Sequence, residues 1–190
     1  MAVIRQGKNA VLLVVDVQVG VLRNVWDDAR IINNIDRLLE KARSQAIPVI
    51  WVQHSDEELV YESPDWEIVP ELSPAEGEER IFKHFNSSFE QTSLDETLEK
   101  LEATHIILAG AATNWCIRAT AYGALDRGYD LTLIEDAHST ETIEIGESNR
   151  IEAADIVQEL NIVMNWVSYP GLTNRTVPVD EVEFEGSESV

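Results

Sequence analysis

Apolar positions along this chain follow two rhythms. Residues 10–15, Ala-Val-Leu-Leu-Val-Val, form an unbroken apolar run that ends at Asp16, the signature of a parallel strand covered on both faces. From Asp28 to Gln45 the rhythm changes. Ile31, Ile32, Ile35, Leu38, Leu39 and Ala42 recur at helical spacing, and Ala46-Ile47-Pro48 ends the helix because proline disfavours helix in the residue before it. Residues 47–52 read as a second buried strand, ending at Gln53-His54. Ile81-Phe82 is a short strand with Lys83 directly after it. A helix over 92–100 starts at Thr92 or Ser93 and places Leu94 and Leu98 on one face. Residues 105–108 form the next strand. The small residues Ala109 to Ala112 make a tight turn, and a helix runs from about Asn114 to near Gly128, a C-terminal glycine signal. A strand over 130–134, a helix over 147–160 with Ile151, Ala154, Ile156, Val157 and Leu160 on its buried side, and a short strand over 162–164 complete the pattern.

Strands alternating with helices predict an open, mostly parallel α/β sheet covered by helices on both faces. Ligands of such sheets bind outside the carboxyl ends of the strands. Asp16 and Lys83 follow strands directly, and Cys116 follows a third strand through a tight turn, so all three can meet at that edge. Cys116 sits in the first turn of its helix, where free backbone N–H groups and the helix dipole favour a thiolate. The expectation is a nucleophile with backbone N–H groups gathered around it. A lone cysteine can also be a small buried hydrophobe, and Asp16 can be a cap or structural hydrogen-bond acceptor. The convergence of the three positions favours the chemical reading.

Composition narrows the partners. The 190 residues, 44% hydrophobic and 26% charged, suit one soluble globular domain. The formal net charge of −21 argues against nucleic acid and against anionic membrane surfaces. Cys116 is the only cysteine, which excludes an intrachain disulfide and a multi-cysteine zinc site. Residues 1–8 have no apolar core of a signal peptide, and no apolar run approaches the ~20 residues of a membrane helix. A reduced, cytoplasmic setting is the expectation.

Three further features have a bland and a sharp reading. His54 at a strand end lacks partners at metal-ligand spacing, since Val52 stands two residues before it, so a polar residue near the pocket is favoured over a metal ligand. Residues 55–80 form a long acidic loop broken by Pro64, Pro70, Pro74 and Gly77. A solvated face is favoured there, the alternative being a loop that carries Trp66 into the pocket or against a partner. Lys83 lies among Phe82, Phe85 and Phe89; a lysine held there near a carboxylate and a cysteine would have a chemical task.

With these residues in hand, the chain resembles the isochorismatase-like cysteine hydrolases. The matching stretches are Leu12 to Gln18, Ile50 to His54, Phe82 to Phe89, Gly110 to Cys116, Ala121 to Gly128 and Asp136 to Thr140, in order across about residues 8–165. The resemblance implies a three-layer Rossmann-like α/β fold with a six-stranded sheet. It implies a catalytic triad of Asp16, Lys83 and Cys116, and a cis peptide between Ala111 and Ala112 that would turn the Ala112 and Cys116 N–H groups together as an oxyanion hole. It further suggests Gln18, Trp66, Phe89 and Trp115 as substrate-binding residues. Family members that hydrolyse nicotinamide carry an acid two residues before a strand-end histidine, and further histidines, for a metal. Val52-Gln53-His54 departs from that set, so no metal and no cofactor is expected. Cys116 points to hydrolysis of a carbon–nitrogen bond in a small amide, ureide or carbamoyl compound through a thioester. The alternatives are an ether or ester hydrolase that does not need the thiol, and a silent binding or assembly protein. The expected organisation is a hydrolase domain over 1–168 and an acidic arm over 169–190, laid on a neighbouring subunit of a homodimer or homotetramer.

Overall fold

The structure, a computed structural model, describes residues 5, 7, 9–146 and 149–184. Six strands form one sheet: β1 (Ala10–Val15), β2 (Val49–His54), β3 (Glu79–Lys83), β4 (His105–Ala111), β5 (Asp130–Ser139) and, beyond two shorter strands, β8 (Asn174–Val177). Their order is β3-β2-β1-β4-β5-β8 and every pairing is parallel. Helices α1 (Val19–Leu22), α2 (Asp28–Ser44), α3 (Leu94–Lys100), α4 (Arg118–Asp126) and α5 (Ala153–Trp166) complete the layers. Strands β6 (Ile143–Ile145) and β7 (Asn149–Ile151) make a separate antiparallel hairpin.

The apolar run of β1 divides between two cores because successive strand side chains point to opposite faces. Leu12 and Val14 pack with the buried stripe of α2, while Val11, Leu13 and Val15 pack with α3, α4 and Leu160 and Met164 of α5. A sheet buried on both sides needs hydrophobic residues at every position, as β1 supplies. Gly110 lets β4 close against β1 at the site end. It has a φ of +127°, and a Cβ there would lie 1.9 Å from the Val15 carbonyl oxygen.

The C-terminal third differs from the sequence reading. Residues 162–164 are not a strand. They continue α5, whose buried face is Ile156, Val157, Leu160 and Met164 at helical spacing. Its start is also later than expected: Ile143–Ile145 and Asn149–Ile151 are the paired strands β6 and β7, Gly146 follows β6 at a φ of +70°, and the helix begins at Ala153. The sixth strand instead comes from the segment read as an arm. Asn174–Val177 pairs along β5 at the sheet edge, half-buried at each position, so it lacks the apolar run by which central strands are recognised. After it, Val179, Val182 and Phe184 are buried against the α2 face. Within the segment read as an acidic arm, residues 174–184 thus contribute a sheet strand and buried side chains; the end of that segment, 185–190, lies outside the described residues.

Most carboxylates of the acidic loop face solvent, but Glu78 is held by several partners. Glu78 receives two hydrogen bonds from Arg43, one from the Trp51 indole at 2.7 Å and one from the Ala75 N–H at 2.8 Å. Burial alone would raise this carboxyl; the bonds from Arg43, Trp51 and Ala75 outweigh it and hold it below its ordinary value. Glu78→Gln is expected to cost about 1–3 kcal/mol in urea unfolding at pH 7, because it removes charge-assisted bonds and leaves the Arg43 guanidinium short of a partner. The wild-type advantage is present above the unfolded glutamate range and fades as pH falls through the folded value, so the two proteins converge in acid.

Candidate active site

Three strand ends meet over one cavity of about 360 Å³. Asp16 follows β1 with a left-handed backbone, φ 52°, which aspartate tolerates better than most residues. Lys83 is the last residue of β3. Strand alternation puts it on the same face as Ile81, both buried, while Phe82 points out. One whole strand, β2, separates β3 from β1, a span of roughly 10 Å at normal strand spacing. The lysine stem crosses it over the end of β2 and delivers its ammonium to Asp16 Oδ2 at 2.7 Å, Cys116 Sγ at 3.2 Å and His54 Nδ1 at 3.4 Å. Three N–H groups thus find three acceptors. Because the ammonium donates to Nδ1, His54 carries its proton on Nε2 and donates to Asp56 Oδ2 at 3.0 Å. Asp56 in turn accepts the N–H groups of Glu58 and Leu59. The Leu59 bond leads in holding its carboxyl below the usual range; burial opposes it, and the Glu58 and His54 bonds add to the lowering.

The thiol sits in a five-residue π-helical turn, Thr113–Ile117, which runs into α4. The Ala111–Ala112 peptide just before it is cis. Ala112 and Cys116 both line the cavity. Here the sequence expectation of a thiolate fails. Burial pushes the Cys116 thiol up to about 12, and the adjacent Asp16 carboxylate adds to the rise while Lys83 opposes it. The dipole of a helix start is outweighed by an anion at close range in a buried site. Lys83 shows the complementary shift: burial would lower it, but Asp16 and then Cys116 overcome that and raise it. The resting site is therefore a buried ion pair with a neutral thiol. Asp16 Oδ1 is buried with no hydrogen-bond partner among the described residues, and the Cys116 thiol lies close enough to hydrogen-bond to the same carboxylate.

The substrate-binding candidates separate. Trp115 is 54% exposed and lines the cavity. Gln18 does not: it is fully buried, its amide donates to the His54 and Trp66 carbonyls, and its oxygen accepts the His54 N–H at 2.8 Å. It pins the end of β2 to the acidic loop. Trp66 is buried against Tyr61 and Phe82, and Phe89 stacks on Tyr129 under the Arg127 guanidinium. Both are packing residues away from the cavity wall. The other walls include Asn24 and Val25 in the connection between β1 and α2, Asn86 in the Phe-Asn-Ser-Ser-Phe segment after Lys83, and Thr140 and Glu141, the last two not anticipated as substrate contacts from the sequence. They lie in connections that carry no periodic signal; only their position just beyond strands or beside motif stretches hints at them. A wider hollow of about 480 Å³, bordered by Arg30 and Asn161, holds none of Asp16, Lys83 and Cys116.

A second buried histidine supports the turn. Asn161 Nδ2 donates to the Glu135 carbonyl, fixing its amide so that Oδ1 accepts from His138 Nε2 at 2.9 Å. His138 Nδ1 then accepts the Thr113 hydroxyl at 2.9 Å. Burial holds His138 down to about 4, with the Asn161 bond opposing and the Arg30 charge adding to the depression. An unfolded histidine titrates near 6.5, so stability is complete above that value and is lost as pH falls toward the folded one, about 3 kcal/mol in all. His138→Gln is expected to flatten this loss when unfolding free energies at pH 7 and pH 4 are compared.

Fold and site together define a three-layer α/β protein with a lysine–carboxylate pair closed over a single thiol at the carboxyl edge of its sheet. The sequence profile of the isochorismatase domain matches residues 10–166. The chain belongs to the isochorismatase family, and it is a hydrolase of that family. Among curated relatives, the uncharacterized isochorismatase family protein YddQ of Bacillus subtilis is 31% identical over 143 residues, 70% of this chain and 79% of that protein. Streptothricin hydrolase of Streptomyces noursei is 26% identical over 186 residues, 90% of this chain and 67% of its own. The secreted isochorismatase effector Isc1 of Verticillium dahliae is 38% identical over 111 residues, 55% of this chain, and the match spans only 57% of the effector's length. An isochorismatase structure from Pseudomonas putida superposes with a TM-score of 0.83 at 29% identity, covering 93% of this chain and 91% of that one. Among the described residues no helix is long and apolar enough to cross a membrane.

Proposed function

We propose that this chain hydrolyses a carbon–nitrogen bond of a small molecule through a thioester on Cys116, with Asp16 as proton acceptor and donor and Lys83 as the charge that holds both. The observation that carries the reading is the placing of the Lys83 ammonium 2.7 Å from Asp16 Oδ2 and 3.2 Å from Cys116 Sγ at the floor of the cavity. The likeness to streptothricin hydrolase is consistent with it.

The chemistry follows from the resting charge state. A neutral thiol is a weak nucleophile, so its proton must leave as the carbonyl is attacked. Asp16 takes that proton, and Lys83 stabilises the sulfur anion as it forms. The sulfur–carbon bond forms while the carbonyl oxygen becomes an oxyanion, which the N–H groups of Ala112 and Cys116 receive. The carbon–nitrogen bond then breaks, and protonated Asp16 returns its proton to the leaving nitrogen. In the second half Asp16 takes a proton from water, the hydroxide adds to the thioester carbon, the carbon–sulfur bond breaks to release the acid, and Asp16 returns its proton to the sulfur. The net reaction adds one water across the carbon–nitrogen bond. The test is ammonia or amine release from a panel of small amides, ureides and carbamoyl compounds, with an acyl adduct on the one cysteine trapped by acid quench and read by mass. Turnover with no adduct and no need for the thiol would overturn the reading in favour of ether or ester hydrolysis.

A further inference from the structure

We infer that the cavity selects substrates bearing a positive charge, an amide with an ammonium group rather than one with a carboxylate. The inference rests on the amide-hydrolase reading and names the substrate class of that site. Its basis is the wall above the reacting groups. The described residues lining the cavity include the carboxylates Asp16, Asp56 and Glu141 and no lysine or arginine. Lys83 lies beneath the floor, fully buried, with its N–H groups directed to Asp16, Cys116 and His54. It is therefore unavailable to a substrate carboxylate. Asp56 keeps its charge, because the N–H groups of Leu59 and Glu58 and the His54 ring hold it below the usual carboxylate range.

Two features make this more than a negative surface. Trp115 exposes its indole on the cavity wall, and among the described residues no guanidinium lies over it, whereas Trp26, Trp66 and Phe89 each have an arginine over the ring. An open indole face beside carboxylates is an ammonium-binding surface. Asp16 adds a carboxylate to the same lining, its Oδ1 buried without a hydrogen-bond partner among the described residues. A carboxylate-bearing substrate would meet like charge on the walls with no lysine or arginine among the described lining residues to offset it, and like-charge juxtaposition is how a site rejects a partner.

The test uses Cys116 as a reporter, since it is the only thiol in the chain. Its modification is timed with three methanethiosulfonates: cationic aminoethyl and anionic sulfonatoethyl reagents built on the same ethyl linker, and a smaller neutral methyl reagent. Each rate is divided by the same reagent's rate with a free thiol. All three meet the same thiolate fraction, so the ratios read the cavity alone. The cationic reagent is expected to outrun the anionic one by at least about tenfold at low salt, shrinking as salt rises. Glu141→Gln is expected to narrow the gap about threefold or more, and Trp115→Leu to slow the cationic reagent selectively. Glu99→Gln, an exposed change on α3 outside the cavity, controls for the field of the whole protein and should leave the gap nearly as it was. Equal or faster anionic labelling, or equal narrowing by Glu141→Gln and Glu99→Gln, overturns the inference. These outcomes are separate from the amide reading, which stands or falls on whether hydrolysis needs Cys116.

Discussion

Cys116→Ala is expected to remove carbon–nitrogen hydrolysis by about a thousandfold or more, with the protein still folded. The alanine fits because Cys116 lies at the cavity lining and contributes one small side chain to its core cluster. The loss is large because no other described group at the floor can replace a sulfur nucleophile: Asp16 is committed to Lys83, and the wall residues lie above. In catalytic units of this kind, losing the nucleophile costs about as much as losing the whole unit. The measurement is kcat/KM for released ammonia or amine, with circular dichroism to show the fold. Activity kept to within tenfold would remove the thioester from the mechanism. A pH arm sharpens the result. A thiol pushed up to about 12 is only about one part in ten thousand thiolate at pH 8. Iodoacetamide should therefore label the wild type slowly at pH 8 and about ten times faster for each pH unit toward the folded value. Labelling that levels off below pH 9 would mean that the resting site already holds a thiolate.

That expectation was only half legible in the chain. The positions of Asp16, Lys83 and Cys116 could be read because each is announced by an apolar strand, and parallel α/β topology brings strand ends to one edge. The state of the thiol could not, because it depends on burial and on a carboxylate one hundred residues away in sequence. The same division runs through the fold. β1 is legible since a doubly covered strand must be apolar at every position, whereas β8, Asn-Arg-Thr-Val at a half-buried edge, has no such signature. Ile162-Val163-Met164 misled for the reverse reason. β-branched residues favour strands locally, but Leu160 and Met164 share a helical face against the core, and that burial decides. Gln18, Trp66 and Phe89 sit in stretches that resemble binding motifs, yet each is absorbed in packing or in a hydrogen-bond clamp.

Lys83→Met tests the other half of the site and is expected to destabilise the protein by about 3–5 kcal/mol as well as to stop turnover. Methionine matches the lysine stem, so the volume that crosses β2 is kept. The ammonium is not, and Asp16 would be left as a buried carboxylate whose Oδ2 loses its 2.7 Å partner while Oδ1 already has none. Uncompensated buried charge is among the few single changes able to cost this much. His54 Nδ1 would lose its donor too, loosening the ring that links the site to Asp56. A second variant separates charge from shape. In Asp16→Asn with Lys83→Met the charges go together, and removing a buried pair whole is commonly close to neutral. The double variant should regain most of the stability lost by the single one, read as urea midpoints at equal m-value, while both remain inactive because proton transfer and sulfur-anion support are gone. The pair also sets an alkaline limit for the wild type. Lys83 is raised above its ordinary value by Asp16 and Cys116 against the pull of burial, so its contribution is complete below the unfolded lysine range and lost only as pH climbs through the folded value. If Lys83→Met were as stable as wild type at pH 7, the Asp16–Lys83 contact would be incidental and the lysine a spectator; if the double variant recovered activity, neither residue would move a proton.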